Sequence, residues 1–305
     1  MAEKDPYRSG MVAVVGRPNA GKSTLMNALV GSKISIVTAK PQTTRHAIMG
    51  ILTEDNAQAI FVDTPGLHKA EGKLINRAMN RAATSSLEGA DLILFLVDAR
   101  GWNDDDEDIV QRIADSKIPC ILLLNKIDFL KNKEALFPLL EASAAKHDFV
   151  EIVPMSALKN QNLDLVRKLV FEHLPAGPQL FPDDMQTDRG LGFRVGEVLR
   201  EKLMEGLHKE VPYGLGVEIN VLEAPEAGDP EGQYSVDAII WVDRDSHKGI
   251  VVGKGGERLK AIGRAARLEL NKTFGQRFHL QTRVKVKSNW ADSAQALRQL
   301  GYDEH

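Results

Sequence analysis

The chain of 305 residues has a single cysteine, few aromatic residues and no long apolar run. A lone thiol excludes disulfide bonds within the chain, and the position of Cys120 in the run IPCILLLNKID predicts a buried strand residue rather than a reactive one. Because no run of about 18 apolar residues is present, the sequence predicts no membrane-spanning helix. The amino terminus, MAEKDPYRSG, lacks the apolar stretch of a secretory signal, so we expect a cytoplasmic protein.

The net charge of -3 would by itself argue against a nucleic-acid partner, because phosphate binding requires cations gathered on one surface. The charges are unevenly distributed along the chain, however. Residues 247–289 contain eleven Lys or Arg against two Asp or Glu, whereas residues 181–246 contain six against fifteen. A strongly basic segment therefore follows a strongly acidic one, and the basic segment is the candidate for binding an anionic partner.

Short apolar runs alternate with amphipathic stretches in the first half of the chain. The runs predicted to be strands are MVAVVG, AIFVDTPG, LILFLVDA, IPCILLLNKID and FVEIVPMSA. The stretches predicted to be helices are 22–30, 72–88, 104–116, 132–146 and 162–173. Such alternation predicts an α/β domain with a doubly wound, mostly parallel sheet that is covered on both faces.

The second half has a different organisation. LPAGPQLFPDD, with three prolines, interrupts the pattern and predicts a linker. A predicted helix at 191–209 precedes the alternating runs GVEINVLEA and YSVDAIIWVDRD, a loop and helix at 248–272, and a final strand, HLQTRVKVK. We therefore predict three segments: an α/β domain at 1–175, a linker at 176–190 and a small α+β domain at 191–305.

Residues 16–23, GRPNAGKS, satisfy the pattern GxxxxGK[ST] where the first strand turns into a helix. Glycines let successive backbone N–H groups surround phosphate oxygens, while Lys22 supplies a cation to the β and γ phosphates and Ser23 is a ligand for Mg²⁺. The segment therefore predicts a phosphate-binding loop. The predicted phosphate contacts are Gly16, Asn19, Ala20, Gly21, Lys22, Ser23 and Thr24.

Asp63 ends the second apolar run and begins the sequence DTPG, which closes at Gly66. A carboxylate at the end of this strand is expected beside Mg²⁺ and the γ-phosphate. In the intervening segment KPQTTR, Thr44, or alternatively Thr43, could reach Mg²⁺ through its hydroxyl. The predicted metal ligands are thus Ser23, Thr44 and Asp63, and the predicted catalytic group is Lys22, Thr44, Asn19 and Gly66.

The sequence NKID, residues 125–128, predicts which base is bound. Asp128 can accept two hydrogen bonds from the N1–H and N2 amino edge of guanine, and adenine has neither donor there. Asn125 can tie the base to the phosphate loop, and the aliphatic stem of Lys126 can cover the purine. Ser156 and Ala157 follow the next run, where a backbone N–H could meet guanine O6. These residues predict GTP and GDP as ligands rather than adenine nucleotides.

The elements GRPNAGKS, DTPG, NKID and SA, in this order, resemble the translation-factor class of GTPases. Leu67 follows DTPG where Ras-like enzymes have the glutamine that orients water, and leucine cannot do this by hydrogen bonding. The resemblance implies that other groups assist hydrolysis in place of the glutamine. Asn19 matches a phosphate-loop asparagine that is linked to K⁺ binding in the related GTPases. We hypothesise a K⁺ ion held partly by Asn19, the alternative being that Asn19 only braces the loop. His68 is expected to be a solvated loop residue rather than a general base.

The stretch HKGIVVGKGGERLKAIGRAARLEL joins an apolar, strand-like run to the sequence GKGG and then to an amphipathic helix. This resembles a KH domain, and the element order resembles its type II arrangement. The resemblance implies that the GxxG loop lets a nucleic-acid backbone approach closely while bases lie on an apolar groove. The predicted RNA contacts are Ile250, Val252, Gly253, Lys254, Gly255, Gly256, Arg258, Lys260 and Arg264, and Ala261, Ile262 and Arg267 are further candidates.

Taken together, GRPNAGKSTL, KPQTTRHAIMGI, FVDTPGLHKA, NKID and IVVGKGGERLKAIG are similar to the Era family, as is the ending VKVKSNWADSAQALRQLGY. The resemblance implies a monomeric GTPase that binds the 3′ end of small-subunit ribosomal RNA during assembly of the small ribosomal subunit, with some peripheral membrane association. A metabolic P-loop kinase or ATPase is the first alternative, which NKID disfavours. A membrane scaffold is the second, motivated by the amphipathic stretch 290–300, although we expect that stretch to pack on the second domain.

Overall fold

In the computed structural model, residues 6–40, 43–63, 74–77, 79, 87–207, 211–226, 229 and 232–300 are described. The chain forms two compact units. The first comprises residues 1–35, 44–69 and 79–188, and the second comprises residues 36–43, 70–78 and 189–305. None of the helices among the described residues reaches the length and apolar content that a bilayer crossing requires.

The first unit contains a six-stranded sheet with the strand order β2-β3-β1-β4-β5-β6. β2 pairs antiparallel with β3, and every other neighbouring pair is parallel. The strands are β1 Arg8–Val15, β2 Ile48–Glu54, β3 Ala57–Asp63, β4 Leu92–Asp98, β5 Cys120–Asn125 and β6 Glu151–Pro154. All residues of β3, β4 and β5 are buried, which explains why their sequences are continuous apolar runs rather than alternating ones.

Helices cover both faces of this sheet. They are α1 Lys22–Val30, α2 Asp104–Ser116, α3 Leu136–Ala144 and α4 Leu163–His173, with short 3₁₀ turns at Ile127–Phe129 and Lys133–Ala135. α2 and α3 pack on one face, around a core that includes Phe95, Ile109 and Leu122. α1 and α4 contact each other and β3. The predicted doubly wound α/β fold is therefore confirmed.

One strand of the first unit was missed in the sequence. β2, an antiparallel edge strand with the sequence IMGILTE, was not predicted. The predicted helix 72–88 lies mostly outside the described residues. Residues 178–188, within the predicted linker, hydrogen bond to strands of the first unit: Gln58 bonds Leu180 and Phe181, and Asp188 accepts from the Met49 N–H.

The second unit contains a three-stranded sheet in the order β7-β8-β9, in which β7 and β8 are antiparallel and β8 and β9 are parallel. Leu199, Ala238 and Ala266 are fully buried in its core. The helices and strands are α5 Leu191–Gly206, β7 Gly216–Glu223, β8 Gln233–Val242, α6 Asp245–Val252, α7 Glu257–Phe274, β9 Arg277–Val286 and α8 Ala294–Gln299. Further 3₁₀ turns lie at Val211–Gly214, Lys254–Gly256 and Trp290–Asp292.

One prediction for this unit was wrong. The apolar run Ile250–Val252 was read as strand-like, but it lies on the helix α6, which begins at Asp245. The element order is consequently helix, strand, strand, helix, helix, strand. Only Val251 of the run is fully buried, and it packs against the core with Ile262 and Ala266. A short apolar run alone does not distinguish a strand from a buried helical turn.

The carboxyl-terminal stretch packs on the second unit, as expected. Trp290 is fully buried, and its indole N–H donates a 3.0 Å hydrogen bond to the Gly214 carbonyl. Ala296 and Leu297 of α8 are also buried. The apolar side of this amphipathic stretch is therefore occupied by protein.

Val37, Lys40 and Thr43 belong to the second unit and hydrogen bond to residues of α5 or just after it. The Val37 N–H donates to Glu201 at 3.0 Å, and Arg200 donates to the Thr43 carbonyl. Arg200 is also held by a two-point pairing with Glu197 on the preceding turn. Lys40 donates to carbonyl groups near the end of α5, where a cation interacts favourably with the helix dipole.

Candidate functional site

The phosphate loop connects β1 to α1, and two of its glycines are required by their surroundings. Gly16 has φ 152°, and a Cβ there would lie 2.6 Å from the Leu96 carbonyl oxygen. Gly21 has φ 106°, and a Cβ there would overlap the side-chain amide of Asn125. Both positions therefore combine a backbone conformation that favours glycine with a close approach that excludes a side chain. Thr24 lies half-buried in the first turn of α1.

Lys22 begins α1 and is buried beside this loop. Its ammonium group donates to the carbonyl oxygens of Gly16 and Arg17, at 2.7 and 3.1 Å. Burial lowers the pKa of Lys22 to about 8, although the nearby carboxylates of Asp63 and Asp106 favour its charged form. An anion bound in the loop would add a further partner for this cation.

Three oxygen-bearing side chains converge at the carboxyl end of β3. Ser23 Oγ lies 2.7 Å from Asp63 Oδ2 and 3.0 Å from Thr44 Oγ1, and Thr44 Oγ1 lies 3.3 Å from Asp63 Oδ2. Asp63 is fully buried, and burial raises its pKa while Lys22 and Ser23 oppose that effect. Its Oδ1 atom has no hydrogen-bond partner within the described part of the chain.

This arrangement fits Mg²⁺. The cation prefers octahedral oxygen ligands at about 2.1 Å, which places neighbouring ligands about 3 Å apart. The separations of 2.7 to 3.3 Å among Ser23, Thr44 and Asp63 match that spacing. Mg²⁺ commonly takes one or two carboxylates together with substrate phosphates, so this small set beside a phosphate loop has the expected composition. The buried Oδ1 atom of Asp63 is a further acceptor without a partner among the described residues.

The structure distinguishes the two threonines that the sequence left open. The Thr44 hydroxyl contacts Ser23 and Asp63, whereas the Thr43 hydroxyl contacts Thr38 and donates 2.7 Å to the Lys40 carbonyl. Thr44 therefore has the position expected of the metal ligand. The predicted residue Gly66 lies outside the described residues, as do Leu67 and His68.

The residues predicted to recognise the base lie on two neighbouring loops, after β5 and β6. Asp128 Oδ1 accepts a 2.6 Å hydrogen bond from Ser156 Oγ, which fixes the orientation of the carboxylate. Asn125 donates to the Ala20 carbonyl at 2.8 Å and accepts from the Ala157 N–H at 3.0 Å. Asn125 thus connects the phosphate loop with the loop after β6, and only its link to the phosphate loop was predicted from the sequence.

Lys126 adds a second connection to the phosphate loop. Its ammonium group donates to the Asn19 carbonyl at 2.6 Å and lies 3.0 Å from Asp98. Burial alone would raise the pKa of Asp98, but hydrogen bonds from Arg100 and Lys126 hold that pKa well below its usual range. Asn19 itself is exposed and has φ 62°, a left-handed conformation that asparagine tolerates.

Sequence reasoning missed three charged residues that support this site. Asp98 ends β4 and pairs with Lys126, while Asp106, in the first turn of α2, pairs with Arg17 at 3.2 Å. Asp106 also reaches the Asn103 N–H in the capping box of α2. The pattern N-x-x-D at the start of a predicted helix signals such a cap, but the pairing with Arg17 depends on the fold.

In the second unit, the predicted GxxG loop lies between α6 and α7. Gly253, Gly255 and Gly256 all have positive φ, at 74°, 60° and 83°. A Cβ on Gly255 or Gly256 would meet no atom within 4 Å, so these positions face open space. Lys254 is exposed beside them. The loop therefore combines the backbone accessibility and the cation that close contact with a phosphate backbone requires.

The remaining predicted RNA contacts separate into different roles. Lys260 and Arg264 are exposed one turn apart on α7, and Ile250 is 40% exposed on α6. Arg258 is exposed too, but its guanidinium donates 2.8 Å to the Ile250 carbonyl and so braces the loop. Val252 is half-buried. The candidates Ala261 and Arg267 are exposed, whereas Ile262 is buried in the core and cannot line a groove.

β9 was missed as a possible wall of the groove. It contacts both α6 and α7, and its residues Leu280 and Val284 are only partly buried against the core. Half-exposed apolar residues beside the two helices that flank a GxxG loop are suited to contacting bases. The period-two alternation of HLQTRVKVK signalled a strand but not its pairing with β8.

Comparison with protein families finds two matching domains. A family described as 50S ribosome-binding GTPase matches residues 11–126. The KH domain family matches residues 210–291. The first match includes Asn125 and Lys126 of the base-recognition sequence, and the second includes the whole GxxG loop.

Relatives match nearly the whole chain. GTPase Era of Vibrio parahaemolyticus serotype O3:K6 (strain RIMD 2210633) is 47% identical over 293 residues, which cover 96% of this chain and 91% of the relative. GTPase Era of Haemophilus influenzae (strain PittGG) is 46% identical over 298 residues, which cover 98% and 97%.

Two solved structures are similar over both domains. A variant of Aquifex aeolicus Era bound to GDP and AlF₄⁻ is 41% identical, with a TM-score of 0.91 over 97% of this chain and 100% of the other. A structure of Era in complex with MgGDPNP and nucleotides 1506–1542 of 16S ribosomal RNA is also 41% identical, with a TM-score of 0.92 over 98% and 100%.

Proposed function

The chain belongs to the Era family of GTPases, and we propose that it hydrolyses GTP and binds the 3′ end of small-subunit ribosomal RNA to assist small-subunit assembly. One observation carries the nucleotide part of this proposal. Asn125 joins the phosphate loop at Ala20 to the base-recognition loop at Ala157, next to a carboxylate that Ser156 orients. A single pocket can therefore bind the triphosphate and read the base.

Different residues of the pocket would bind the phosphates, the base and the metal ion. Backbone N–H groups of the phosphate loop and Lys22 would hold the phosphates, and Asp128 would accept hydrogen bonds from guanine. Ser23, Thr44 and Asp63 would hold Mg²⁺, which when bound neutralises charge that develops on the phosphate oxygens. Lys126, paired with Asp98, holds the loop after β5 against the phosphate loop by its hydrogen bond to the Asn19 carbonyl.

Base selection is tested with Asp128→Asn. An amide offers a donor where guanine also has a donor, so affinity for GTP should fall at least about 100-fold while affinity for xanthosine triphosphate rises. Isothermal titration with GTP, ATP and xanthosine triphosphate, in buffer with Mg²⁺, measures this change. Asp164→Asn, an exposed carboxylate on α4, is the control and should bind all three nucleotides like the unaltered protein. Stronger heat with ATP than with GTP in the unaltered protein would overturn the proposal.

The RNA part is supported by the open GxxG loop with Lys254 and by the exposed cations of α7. The related Era structure contains nucleotides 1506–1542 of 16S ribosomal RNA. A GxxG loop contacts the backbone of about four nucleotides, so it can account for only part of that RNA. Lys254→Asp with Gly255→Asp should abolish crosslinking to RNA in cells and leave GTP affinity intact. Retained crosslinking by this double variant would contradict a role for the loop.

We propose that the two activities are coupled, and the contacts of two adjacent residues support this proposal. Thr44 lies beside Asp63, and the preceding carbonyl, that of Thr43, is held by Arg200 of α5. A γ-phosphate that fixes Thr44 would therefore bias residues 36–43 in the RNA-binding unit. RNA affinity measured with a GTP analogue and with GDP tests this idea. Equal affinities would contradict coupling without affecting either site.

We also propose that K⁺, held partly by Asn19, assists hydrolysis, because the residue after DTPG is leucine and cannot orient water. The exposure of Asn19 on the phosphate loop supports this role. Turnover should be faster in K⁺ than in Na⁺ buffer, and Asn19→Ala should remove the difference. We further propose a cytoplasmic, monomeric protein with peripheral membrane association, which fractionation of cells and sedimentation analysis would test.

A further inference from the structure

Asp98 lies at the end of β4, where it is buried and surrounded by hydrogen-bond donors. Its Oδ1 atom accepts from the backbone N–H and the Nε atom of Arg100, at 3.0 and 2.8 Å. Its Oδ2 atom accepts from Arg100 Nη2 at 2.6 Å and lies 3.0 Å from Lys126 Nζ. Because every one of these donors favours the charged carboxylate, Asp98 is a buried anion whose charge is balanced by two cations.

Lys126 connects this anion to the phosphate loop. Its ammonium group lies between Asp98 Oδ2, at 3.0 Å, and the Asn19 carbonyl oxygen, at 2.6 Å. Asn19 and Lys126 both have left-handed backbone conformations, with φ 62° and 71°. Lysine rarely adopts this conformation, which persists only where surrounding contacts fix it. The ammonium group, bound on both sides, therefore fixes the turn at Lys126 against the turn at Asn19.

Arg100, the other cation on Asp98, has different surroundings. Its side chain is 60% exposed, and its guanidinium lies 5.5 Å from the centre of the exposed Phe129 ring. Within the described part of the chain, this guanidinium hydrogen bonds to Asp98 and to no residue of the phosphate loop. The two cations therefore separate two roles of the carboxylate: neutralisation of its charge, and contact with the phosphate loop.

We propose that Asp98 is a positioning residue that slows nucleotide release by holding the Lys126 ammonium group on the Asn19 carbonyl. The proposal rests on the proposed function, namely that this pocket binds guanine nucleotides. The turn at Asn19 directs the backbone N–H groups that follow it toward the phosphates, so a loosened turn weakens their hydrogen bonds to the nucleotide. Base choice does not depend on Asp98, since Ser156 orients the Asp128 carboxylate.

The test measures how fast a fluorescent GDP analogue leaves the full-length protein when excess unlabelled GDP is added in buffer with Mg²⁺. The variants are Asp98→Asn, which keeps the size of the side chain and removes its charge, Lys126→Gln, and the two combined. Arg100→Gln is the matched control, because it removes the other cation from the same carboxylate. Asp164→Asn makes the same chemical change at an exposed position of α4. Thermal unfolding without nucleotide measures the stability of each variant.

We expect Asp98→Asn to release GDP at least about tenfold faster, because the buried ammonium group loses its ionic partner. Lys126→Gln should have a similar effect, and in the combined variant the two factors should not multiply, since both changes break one shared contact. Arg100→Gln should change the rate less than about twofold, because its ion pair is largely exposed. The ratio of affinities for GTP and xanthosine triphosphate should stay the same in Asp98→Asn, a result that general loosening of the pocket would not give.

Several results would overturn the proposal. If Asp98→Asn lowers the unfolding temperature but leaves GDP release unchanged, the carboxylate serves stability alone. If the factors multiply in the combined variant, Asp98 does not act through Lys126, and if Arg100→Gln is as fast as Asp98→Asn, the effect passes through Arg100. Should Asp98→Asn not fold, unchanged release from Lys126→Gln would be decisive against the proposal. If the unaltered protein binds no guanine nucleotide, the proposed function fails, and this proposal fails with it.

Discussion

Arg17 of the phosphate loop and Asp106 of α2 form an ion pair, with 3.2 Å between Arg17 Nε and Asp106 Oδ2. Asp106 is fully buried, and its second partner is the Asn103 N–H of the capping box. The pair connects the start of α2 to the loop that is expected to hold phosphate. Loss of the negative charge on Asp106 would leave Arg17 without this ionic partner.

This pairing predicts a pH dependence. Burial raises the pKa of Asp106 to about 6, although Arg17 lowers it, and Asp105 and Asp98 raise it further. The unfolded value is about 3.9, so the folded protein binds more protons between about pH 4 and pH 6. The contribution of this carboxyl to stability should therefore fall as pH rises through that window, by up to about 3 kcal/mol.

Carboxyl ¹³C NMR on aspartate-labelled protein measures this pKa directly, and Asp106→Asn identifies the resonance. The difference in unfolding free energy between the unaltered protein and Asp106→Asn should shift in favour of the variant from pH 4 to pH 6.5. A resonance that titrates near pH 4 would contradict the prediction.

Lys22 predicts proton uptake on nucleotide binding. Burial lowers its pKa to about 8, so part of the population is neutral in the empty pocket at pH 8.5. A bound triphosphate favours the ammonium form and raises the pKa. Calorimetry at pH 8.5 in buffers of different ionisation enthalpy should therefore show a binding enthalpy that varies with the buffer, as expected for proton uptake. Lys22→Met is the control, and a buffer-independent enthalpy in the unaltered protein would contradict this assignment.

Gly21 and Gly31 provide a matched pair of substitutions. Both have positive φ, 106° and 77°, but a Cβ on Gly31 meets no atom within 4 Å whereas one on Gly21 overlaps Asn125. Gly31→Ala should cost about 1 kcal/mol of stability through backbone strain and leave GTP affinity unchanged. Gly21→Ala should lower GTP affinity at least about tenfold, because Asn125 must move and release Ala20 or Ala157. Equal GTP affinities for the two variants would show that the contact has no role.

Thr44 and Thr43 test the assignment of the metal ligand. Thr44→Val removes the hydroxyl that lies 3.3 Å from Asp63 Oδ2, whereas Thr43→Val removes one that contacts Thr38 and Lys40. We expect Thr44→Val to lower turnover at least about tenfold and to raise the Mg²⁺ concentration needed for half-maximal rate. Thr43→Val should leave the Mg²⁺ dependence unchanged. The opposite result would transfer the role to Thr43.

Several parts of the molecule could be predicted because their cause is local. A few neighbouring residues are enough to specify the conformation of the phosphate loop, through its glycine pattern and the Lys22–Ser23 pair. The same holds for the burial of the apolar runs LILFLVD and CILLLN. Residues 104–116 carry their own cap and apolar spacing, and α2 has those bounds. By itself, the sequence therefore determined the parallel α/β fold, the order of the nucleotide elements and the position of the GxxG loop.

Other features depended on elements that are distant in sequence. Nothing near Asp106 indicates Arg17, and nothing near Asn125 indicates its hydrogen bond from the Ala157 N–H. The sequence also left Thr43 as an alternative to Thr44, and its apolar run predicted a strand at Ile250–Val252. Only the tertiary structure decided these points, since hydrogen bonds and ion pairs act over about 3 Å in space, whatever the separation along the chain.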